Sequence, residues 1–475
     1  MRICMIVEGA YPYITGGVSN WIHQLVTNME EFEFIIITIM AEGHTKGKFK
    51  YKLPKNVVGV EEYFLDEILY AGGKRNKKIN LSKKDIEVLG SLIAAKEVDW
   101  NSLFEIFSRK EIRKLSASDL LLSKPFFSLI KESYEKSYSH SPFTEVYWTI
   151  QSMYLPFFSI LLQEYPEADL YHSVSTGYAG IIGAYAALTS KKPYLITEHG
   201  IYTREREEEI IKSTWIQGEL KDMWIDFFYN LSDAAYFSAN QVISLFEKNR
   251  DIQIEIGCPK EKTLVIHNGV DITRFKDIAF SVNNREEENI NIGAIVRVVP
   301  IKDIKTMLDA FWVVNKNMDN VNFYIMGPVE EDQEYYEECL KHKEYLKLDN
   351  LTFTGGVDVK EYLKDMDLLV LTSISEGQPL AILEGMASKI PFVATNVGDC
   401  KGLITGEDDD LGPAGKVANV MNYIDIAEKI MELCNDKTLR KKYGETGYKR
   451  VKEFYSLDKF IEAYRNIYKY LLMRG

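Results

Sequence analysis

Short runs of apolar, β-favouring residues recur along the chain. Between them lie longer stretches whose apolar positions repeat at helical spacing. In the first half the runs are residues 2–7, Phe34–Met40, Leu170–Val174, Tyr194–Thr197, Val242–Leu245 and Leu264–Ile266. The pattern restarts at Asn291–Val296 and continues through Asn322–Met326, Leu351–Thr354, Leu368–Leu371 and Phe392–Thr395. Strands that alternate with helices predict parallel sheets covered by helices, an α/β class. The restart predicts two doubly wound, Rossmann-like domains, at 1–275 and 285–455. The break is expected near Thr273–Asn289, where Asp, Asn, Glu and Ser accumulate and the apolar periodicity lapses.

Residues 72–150 break the alternation. They are rich in Lys and Glu with scattered Leu, Ile and aromatic positions, which predicts a mainly helical insertion in the first domain. Its run Lys74-Arg75-Asn76-Lys77-Lys78 reads as a solvated loop. The last twenty residues, 456–475, form an amphipathic helix rich in Tyr and Leu that is expected to complete the first domain. Ser456 is its candidate N-cap, with Asp458 adding negative charge to the first turn.

The 475-residue length exceeds one ordinary core and supports the two-domain reading. Hydrophobic content of 46% and charged content of 27% are those of a folded globular chain. The net charge of -13 speaks against a nucleic-acid partner, though a few placed cations suffice for a small anion. The five cysteines, Cys4, Cys258, Cys339, Cys400 and Cys434, are scattered and fit a reducing compartment. The opening run is too short for a signal-peptide core, and no apolar stretch is long enough to span a bilayer. A soluble cytoplasmic protein is expected.

Four segments carry candidate chemistry. Glu376-Gly377-Gln378-Pro379-Leu380-Ala381-Ile382-Leu383-Glu384 follows the strand 368–371 and opens a helix expected at Leu380–Ser388, with Pro379 in its first turn. Carboxylates at a strand end and one turn into the next helix face the crevice where open parallel sheets bind ligands. Each carboxylate can accept from sugar hydroxyls. The second segment is Arg297-Val298-Val299-Pro300-Ile301-Lys302-Asp303, at a strand-to-helix turn. Arg297 and Lys302 can converge on one anion and stabilise a departing diphosphate. The third is Gly16-Gly17, before a helix expected at Ser19–Met29, where bare backbone can approach a phosphate. The fourth is Thr197-Glu198-His199-Gly200-Ile201-Tyr202, in which His199 sits at a strand end and can donate to a sugar hydroxyl.

The string Ser373-Ile374-Ser375-Glu376-Gly377-Gln378-Pro379-Leu380-Ala381-Ile382-Leu383-Glu384-Gly385-Met386-Ala387 resembles the donor-site signature of glycosyltransferase family 4, a retaining family of GT-B architecture. Family members also carry an Arg and a Lys at the places of Arg297 and Lys302, and a Gly-Gly loop near the start; Val296 stands where many have Gly. Glu198-His199-Gly200-Ile201-Tyr202-Thr203-Arg204-Glu205-Arg206, with Gly16-Gly17-Val18-Ser19, narrows the likeness to the PelF-like branch of bacterial exopolysaccharide assembly.

The resemblance implies two domains facing across a cleft and a UDP-sugar donor, UDP-glucose, used without a metal. It implies a saccharide acceptor and a Pel-type synthase complex at the inner membrane as partner. By the same resemblance His199, Glu376, Arg297 and Lys302 are catalytic. Glu384 binds the ribose. The amides of Gln378, Pro379-Leu380 and Ala381 hold sugar or phosphate, Gly327 and Val357 lie in loops that contact the base, and Gly16 and Gly17 face the diphosphate. Val265-Ile266-His267-Asn268-Gly269-Val270-Asp271 resembles the family segment that ends the first domain, with Gly269 turning the chain. Asp365-Met366-Asp367 spells a metal-binding pattern of other transferases but sits before a strand, which points to chance.

Two other classes share features of this reading. A nucleotide-sugar epimerase has the same two-domain plan but wants an acid and base on the sugar ring. A scaffold subunit that only senses the nucleotide sugar would have no need of the full set Glu376, Glu384, Arg297 and Lys302.

Overall fold

The computed structural model describes residues 1–69, 79–94, 97–283, 289–407 and 409–474. They fall into two units, Met1–Val265 with Tyr464–Gly475, and Ile266–Ala463. The first division therefore lies upstream of the polar stretch at 273–289. The final helix, Leu457–Arg474, joins the first unit only from Tyr464 onward.

The first unit is built on a seven-stranded parallel sheet: β1 (Arg2–Glu8), β2 (Glu33–Met40), β3 (Val57–Phe64), β4 (Leu170–Ser173), β5 (Tyr194–Glu198), β6 (Gln241–Ser244) and β7 (Thr263–Val265), in the order β3-β2-β1-β4-β5-β6-β7. The second has six: β8 (Ile290–Ile295), β9 (Val321–Met326), β10 (Leu351–Gly355), β11 (Leu368–Leu371), β12 (Phe392–Thr395) and β13 (Gly415–Ala418), in the order β10-β9-β8-β11-β12-β13. The strand order reverses between β1 and β4 and between β8 and β11. At such switch points the loops beyond the strands diverge and leave a crevice.

Two strands lie outside the sequence pattern, β3 and β13, and both are sheet edges. Edge strands need no continuous apolar run, and polar positions protect them from unwanted pairing. β3 contains Gly59, Glu61 and Glu62 and buries only Phe64, while β13 is four residues with Lys416 near its start.

The insertion is helical, over Lys83–Ile93, Trp100–Ser108, Ala117–Leu121, Lys124–Ser137 and Phe143–Leu161. Local signals set the starts. Ser82 with Asp85 and Ser116 with Asp119 form capping boxes, Asp99 and Ser123 cap two more, and Pro142 precedes the fifth without a side-chain cap. Leu92, Trp100, Phe104, Phe107, Ile150 and Phe157 pack into the same core as Cys4, Ile6 and Ile37 of the sheet. The insertion is thus part of the first unit's hydrophobic core. The basic run 74–78 lies outside the described residues.

The end of the chain is fixed by polar contacts within the first unit. His172, fully buried on β4, bonds through Nδ1 to Tyr468 Oη at 2.8 Å and through Nε2 to Thr197 Oγ1 at 2.9 Å. Tyr464 Oη lies 3.0 Å from the same Thr197 oxygen. Ser456 Oγ accepts from Lys459 N at 3.4 Å, and Asp458 occupies the first turn. Gly269 does not turn the chain by its own conformation. A Cβ there would meet Phe460 Cβ at 2.6 Å and Ser456 O at 2.9 Å, so glycine permits a close approach of backbone to the helix start. All five cysteines are buried and none is in a disulfide. Among the described residues no helix is long and apolar enough to cross a membrane.

Candidate active site

The second unit assembles its site from the loops after β8, β9, β10, β11 and β12, at the carboxyl ends of the strands. After β8, Pro300–Lys302 form a 3-10 turn. Asp303 then adopts a left-handed conformation (φ 48°) and caps the helix Ile304–Asn317. Two bonds fasten the turn to the end of β11. Thr372 Oγ1 donates to Lys302 O at 2.9 Å, and Ile374 N donates to Ile301 O at 2.9 Å. Lys302 is thereby delivered to Glu376: Nζ and Oε1 are 2.5 Å apart, with the side chains only 16% and 11% exposed. Ser373 Oγ donates to the same carboxylate oxygen at 2.5 Å.

Backbone packing holds Glu376 in place. Gly398 has φ 52°, and a Cβ there would sit 2.2 Å from Glu376 O. Asp399 N donates to Gly377 O at 2.9 Å. The Gln378 side chain is buried and turned inward: Nε2 donates to Asp399 Oδ2 at 2.7 Å, and Oε1 accepts from Asn268 N at 2.6 Å. Asn268 Nδ2 also donates to Gln378 O at 3.0 Å. This side chain ties the loop to the segment 267–271, and its contribution to a ligand reduces to backbone. Pro379 is the N-cap of the helix Leu380–Ala387, with ψ 118°, and so stands one position before the first turn expected for it. Leu380 and Ala381 begin the helix, ahead of the first intrahelical bonds.

Glu384 is the fifth residue of that helix. Burial pushes its carboxyl pKa up, and the Arg274 guanidinium opposes this. Arg274, on the short turn Ile272–Phe275, carries no signal in the sequence because it stands alone, far upstream of the motif it serves.

Arg297 is engaged by Glu331 and not by Glu376. Its Nη1 lies 2.5 and 2.7 Å from the two Glu331 carboxylate oxygens. The backbone beneath it is fixed by Gly327, whose φ is 155° and whose missing Cβ would fall 2.0 Å from Val296 O. Val296 N donates to Met326 O at 3.0 Å, Val298 N to Pro328 O at 3.0 Å, and Gly327 N to Gly355 O at 3.0 Å. The loops after β8, β9 and β10 form one stitched block. Val357, at its far side, is half-buried against the core. Asp367 lies at the other end of the sheet, where its Oδ2 accepts from Asn291 N at 2.9 Å at the start of β8.

The first unit has a cavity of its own. A cavity of about 480 Å³ opens at the ends of β1, β2, β4 and β5, walled by Val18, Ile39, Met40 and Val174, with Glu8, His199 and Arg206 as polar groups. Trp21 meets the His199 ring edge to face at 4.7 Å. Burial lowers the His199 pKa to about 4, which keeps the imidazole neutral near pH 7. Its Nε2 is buried and has no hydrogen-bond partner among the described residues. The preceding Glu198 accepts from Tyr236 Oη at 2.7 Å, Gln253 Nε2 at 2.9 Å, Thr176 Oγ1 at 3.1 Å and Tyr202 N at 3.1 Å. It anchors the loop that presents His199. Glu8 was not singled out by sequence, because one acid at a strand end has no distinguishing pattern. Gly17 opens the helix Gly17–Thr27, two residues earlier than the sequence suggests, and Gly16 is its extended N-cap. A Cβ on either glycine would meet nothing within 4 Å.

Two doubly wound units, the second holding paired Lys and Glu and a helix-borne Glu at its strand ends, define a transferase of GT-B architecture. Residues 1–261 match the family model described as Domain of unknown function (DUF3492), and residues 275–450 that described as Glycosyl transferases group 1. The chain belongs to the first of these families and is a glycosyltransferase of group 1.

It is 27% identical over 307 residues to an uncharacterized glycosyltransferase of Methanocaldococcus jannaschii, covering 64% of this chain and 76% of that protein. To the capsular polysaccharide biosynthesis glycosyltransferase CapM of Staphylococcus aureus it is 26% identical over 317 residues, 62% and 76% of the two chains. Among solved structures, HepE of Anabaena in complex with UDP aligns with a TM-score of 0.62 at 15% identity, over 99% of this chain and 100% of that one. HepE in complex with UDP-glucose aligns with a TM-score of 0.61 at 16% identity, over 99% of each chain. These structural likenesses bear on the fold.

Proposed function

We propose that the enzyme transfers glucose from UDP-glucose to a saccharide acceptor with retention of configuration, as a member of the PelF-like branch of glycosyltransferase family 4. The observation that carries this reading is the Lys302–Glu376 pair at the end of β11, one helix start away from Glu384. Glu384 takes the ribose hydroxyls and Glu376 a hydroxyl of the donor sugar. The amides at Gln378, Leu380 and Ala381 hold sugar or phosphate, while the loops at Gly327 and Val357 accept the base. Arg297 and Lys302 take the diphosphate. They stabilise the charge that develops as the glycosidic bond breaks, so the reaction needs no metal. The neutral His199 donates a hydrogen bond during transfer, and Gly16-Gly17 bring bare backbone to the phosphates.

The likeness to CapM, a capsular polysaccharide enzyme, and to HepE with UDP-glucose bound supports the donor and the polymer context. A cytoplasmic enzyme working beside an inner-membrane Pel-type synthase complex fits the same context. The test follows UDP release from UDP-glucose with saccharide acceptors, and the anomeric configuration of the product by NMR. The reading predicts turnover that is abolished in Glu384→Ala. Release of UDP from none of the common UDP-sugars, or full turnover in Glu384→Ala, would overturn it.

A further inference from the structure

Arg297 is the cation that the proposed function assigns to the diphosphate, and it already has an anion. The Glu331 carboxylate places both oxygens within 2.7 Å of Nη1. Exposed ion pairs of long side chains form and dissolve at little net gain. Glu331 differs in how it is carried. It sits on the short loop between β9 and the helix Gln333–Leu346, and that loop is fastened to the Arg297 turn on both sides. On one side Gly327 packs on Val296 O and Val298 N donates to Pro328 O. On the other Asp332 caps the helix, and Tyr335 Oη accepts from Ile304 N at 3.0 Å, directly beyond the Lys302 turn. A side chain between two fixed points loses less freedom on pairing. It also cannot go far when displaced.

A carboxylate and a phosphate make the same demand on a guanidinium, two oxygens against N–H donors. A diphosphate that takes Arg297 must move Glu331 aside and then sit beside its negative charge. The donor and the product differ in that charge. In a UDP-sugar both phosphates are esterified. In UDP the terminal phosphate has a second ionisation near pH 6 and carries about one extra charge at pH 7. Repulsion by a tethered carboxylate therefore falls harder on UDP than on UDP-glucose.

We propose that Glu331 is the resident counter-ion of the Arg297 seat and discriminates donor from product there, holding Arg297 in place when the seat is empty and weakening the grip on UDP after transfer. This inference rests on the reading that Arg297 binds the diphosphate. Glu376 holds Lys302 in a similar way but is itself part of the donor motif, whereas Glu331 lies outside every motif in the sequence.

The experiment measures dissociation constants for UDP and UDP-glucose by calorimetry in the wild type, Glu331→Gln, Arg297→Gln and the double variant, at low and high ionic strength. Glu331 is half exposed, and its removal is expected to leave the melting temperature within a degree or so of the wild type's, roughly as for other exposed pairs. The expected result is UDP binding about 2- to 5-fold tighter in Glu331→Gln, a gain within the range of surface charge pairs. UDP-glucose gains less. The effect shrinks at high salt and in the Arg297→Gln background. In turnover, inhibition by UDP becomes stronger. Unchanged or weaker UDP binding in Glu331→Gln, or an equal gain for both ligands, overturns the proposal. Arg297→Gln that binds UDP as well as the wild type overturns instead the assignment of Arg297 to the diphosphate. A wild type that binds neither ligand overturns the donor reading itself.

Discussion

Lys302 Nζ and Glu376 Oε1 are 2.5 Å apart in a setting where both side chains are largely withdrawn from water. Removing one partner from such a pair leaves the other charge buried without compensation. Lys302→Met is therefore expected to lower stability by about 3 kcal/mol, near the lower end for a broken buried pair. The double variant Lys302→Met/Glu376→Gln recovers most of that loss, since no net charge remains. Activity does not recover with it. Turnover falls by about 100-fold or more in both, the usual scale for removing one charge-stabilising group. Urea denaturation beside steady-state UDP release separates the two effects, and equal recovery of stability and turnover would show the pair to be purely structural.

Glu384 gives a pH signature of definite sign. Its folded pKa is raised by burial, so the folded protein holds the proton more tightly than the unfolded chain. That contribution to stability is complete below the unfolded value of about 4.5 and is lost as pH rises through the folded value. Glu384→Gln is expected to match the wild type at low pH and exceed it at neutral pH, while losing UDP-glucose binding. Arg274→Ala removes the opposing charge and widens the wild-type deficit at neutral pH. Denaturation midpoints across the pH series, with and without UDP, test both statements.

Much of this arrangement could be read along the chain, for a physical reason. Central parallel strands are buried on both faces, so β1, β2, β8 and β11 appear as predominantly apolar runs. The edges β3 and β13 do not. The donor motif is also local. Glu376, Gln378 and Glu384 sit on one strand–loop–helix segment, so their order in sequence is their order in space. What sequence could not supply are partners brought in by folding. Glu331 reaches Arg297 only because Gly327 docks the loop after β9 onto the end of β8. Arg274 reaches Glu384 across more than a hundred residues. Even inside the motif, spacing could not tell that the Gln378 side chain points inward to Asn268 and Asp399.

Two histidines of the first unit whose rings are withdrawn from water, His199 and His172, make it sensitive to acid. Burial lowers the His199 pKa to about 4 and that of His172 to about 3. Both are depressed from the free value of 6.5, so the neutral folded forms contribute stability that is complete above pH 6.5. It is lost as pH falls toward 4 and then 3. Each histidine adds roughly 1.4 kcal/mol per pH unit to the slope within its window. His199→Gln is expected to lower the slope between pH 6 and roughly 4 by about that one-histidine share. Tyr468→Phe deprives His172 Nδ1 of its partner and lowers stability by about 1–2 kcal/mol at neutral pH. Circular dichroism during acid titration reads the first, and thermal melts the second.

Gly327 and Gly16 answer the same substitution in opposite ways. At Gly327 an added Cβ would fall 2.0 Å from Val296 O, in a backbone conformation (φ 155°) that other residues rarely adopt. Gly327→Ala must push apart the loops after β8 and β9 and shift Arg297 and Glu331 with them. A cost of about 1–3 kcal/mol is expected, as for other overpacked sites, seen as a lower melting temperature together with weaker UDP binding. Gly16 has an ordinary extended backbone, and a Cβ there meets nothing within 4 Å. Gly16→Ala is expected to melt as the wild type does, since neither strain nor packing calls for glycine at this place. If bare backbone is kept there for a phosphate or a sugar, the methyl group intrudes only when the ligand arrives. Turnover with UDP-glucose then falls while stability holds. A Gly16→Ala enzyme of normal turnover would remove the Gly-Gly loop from the list of groups that meet substrate, and one that melts early would reveal a packing role that the fold does not show.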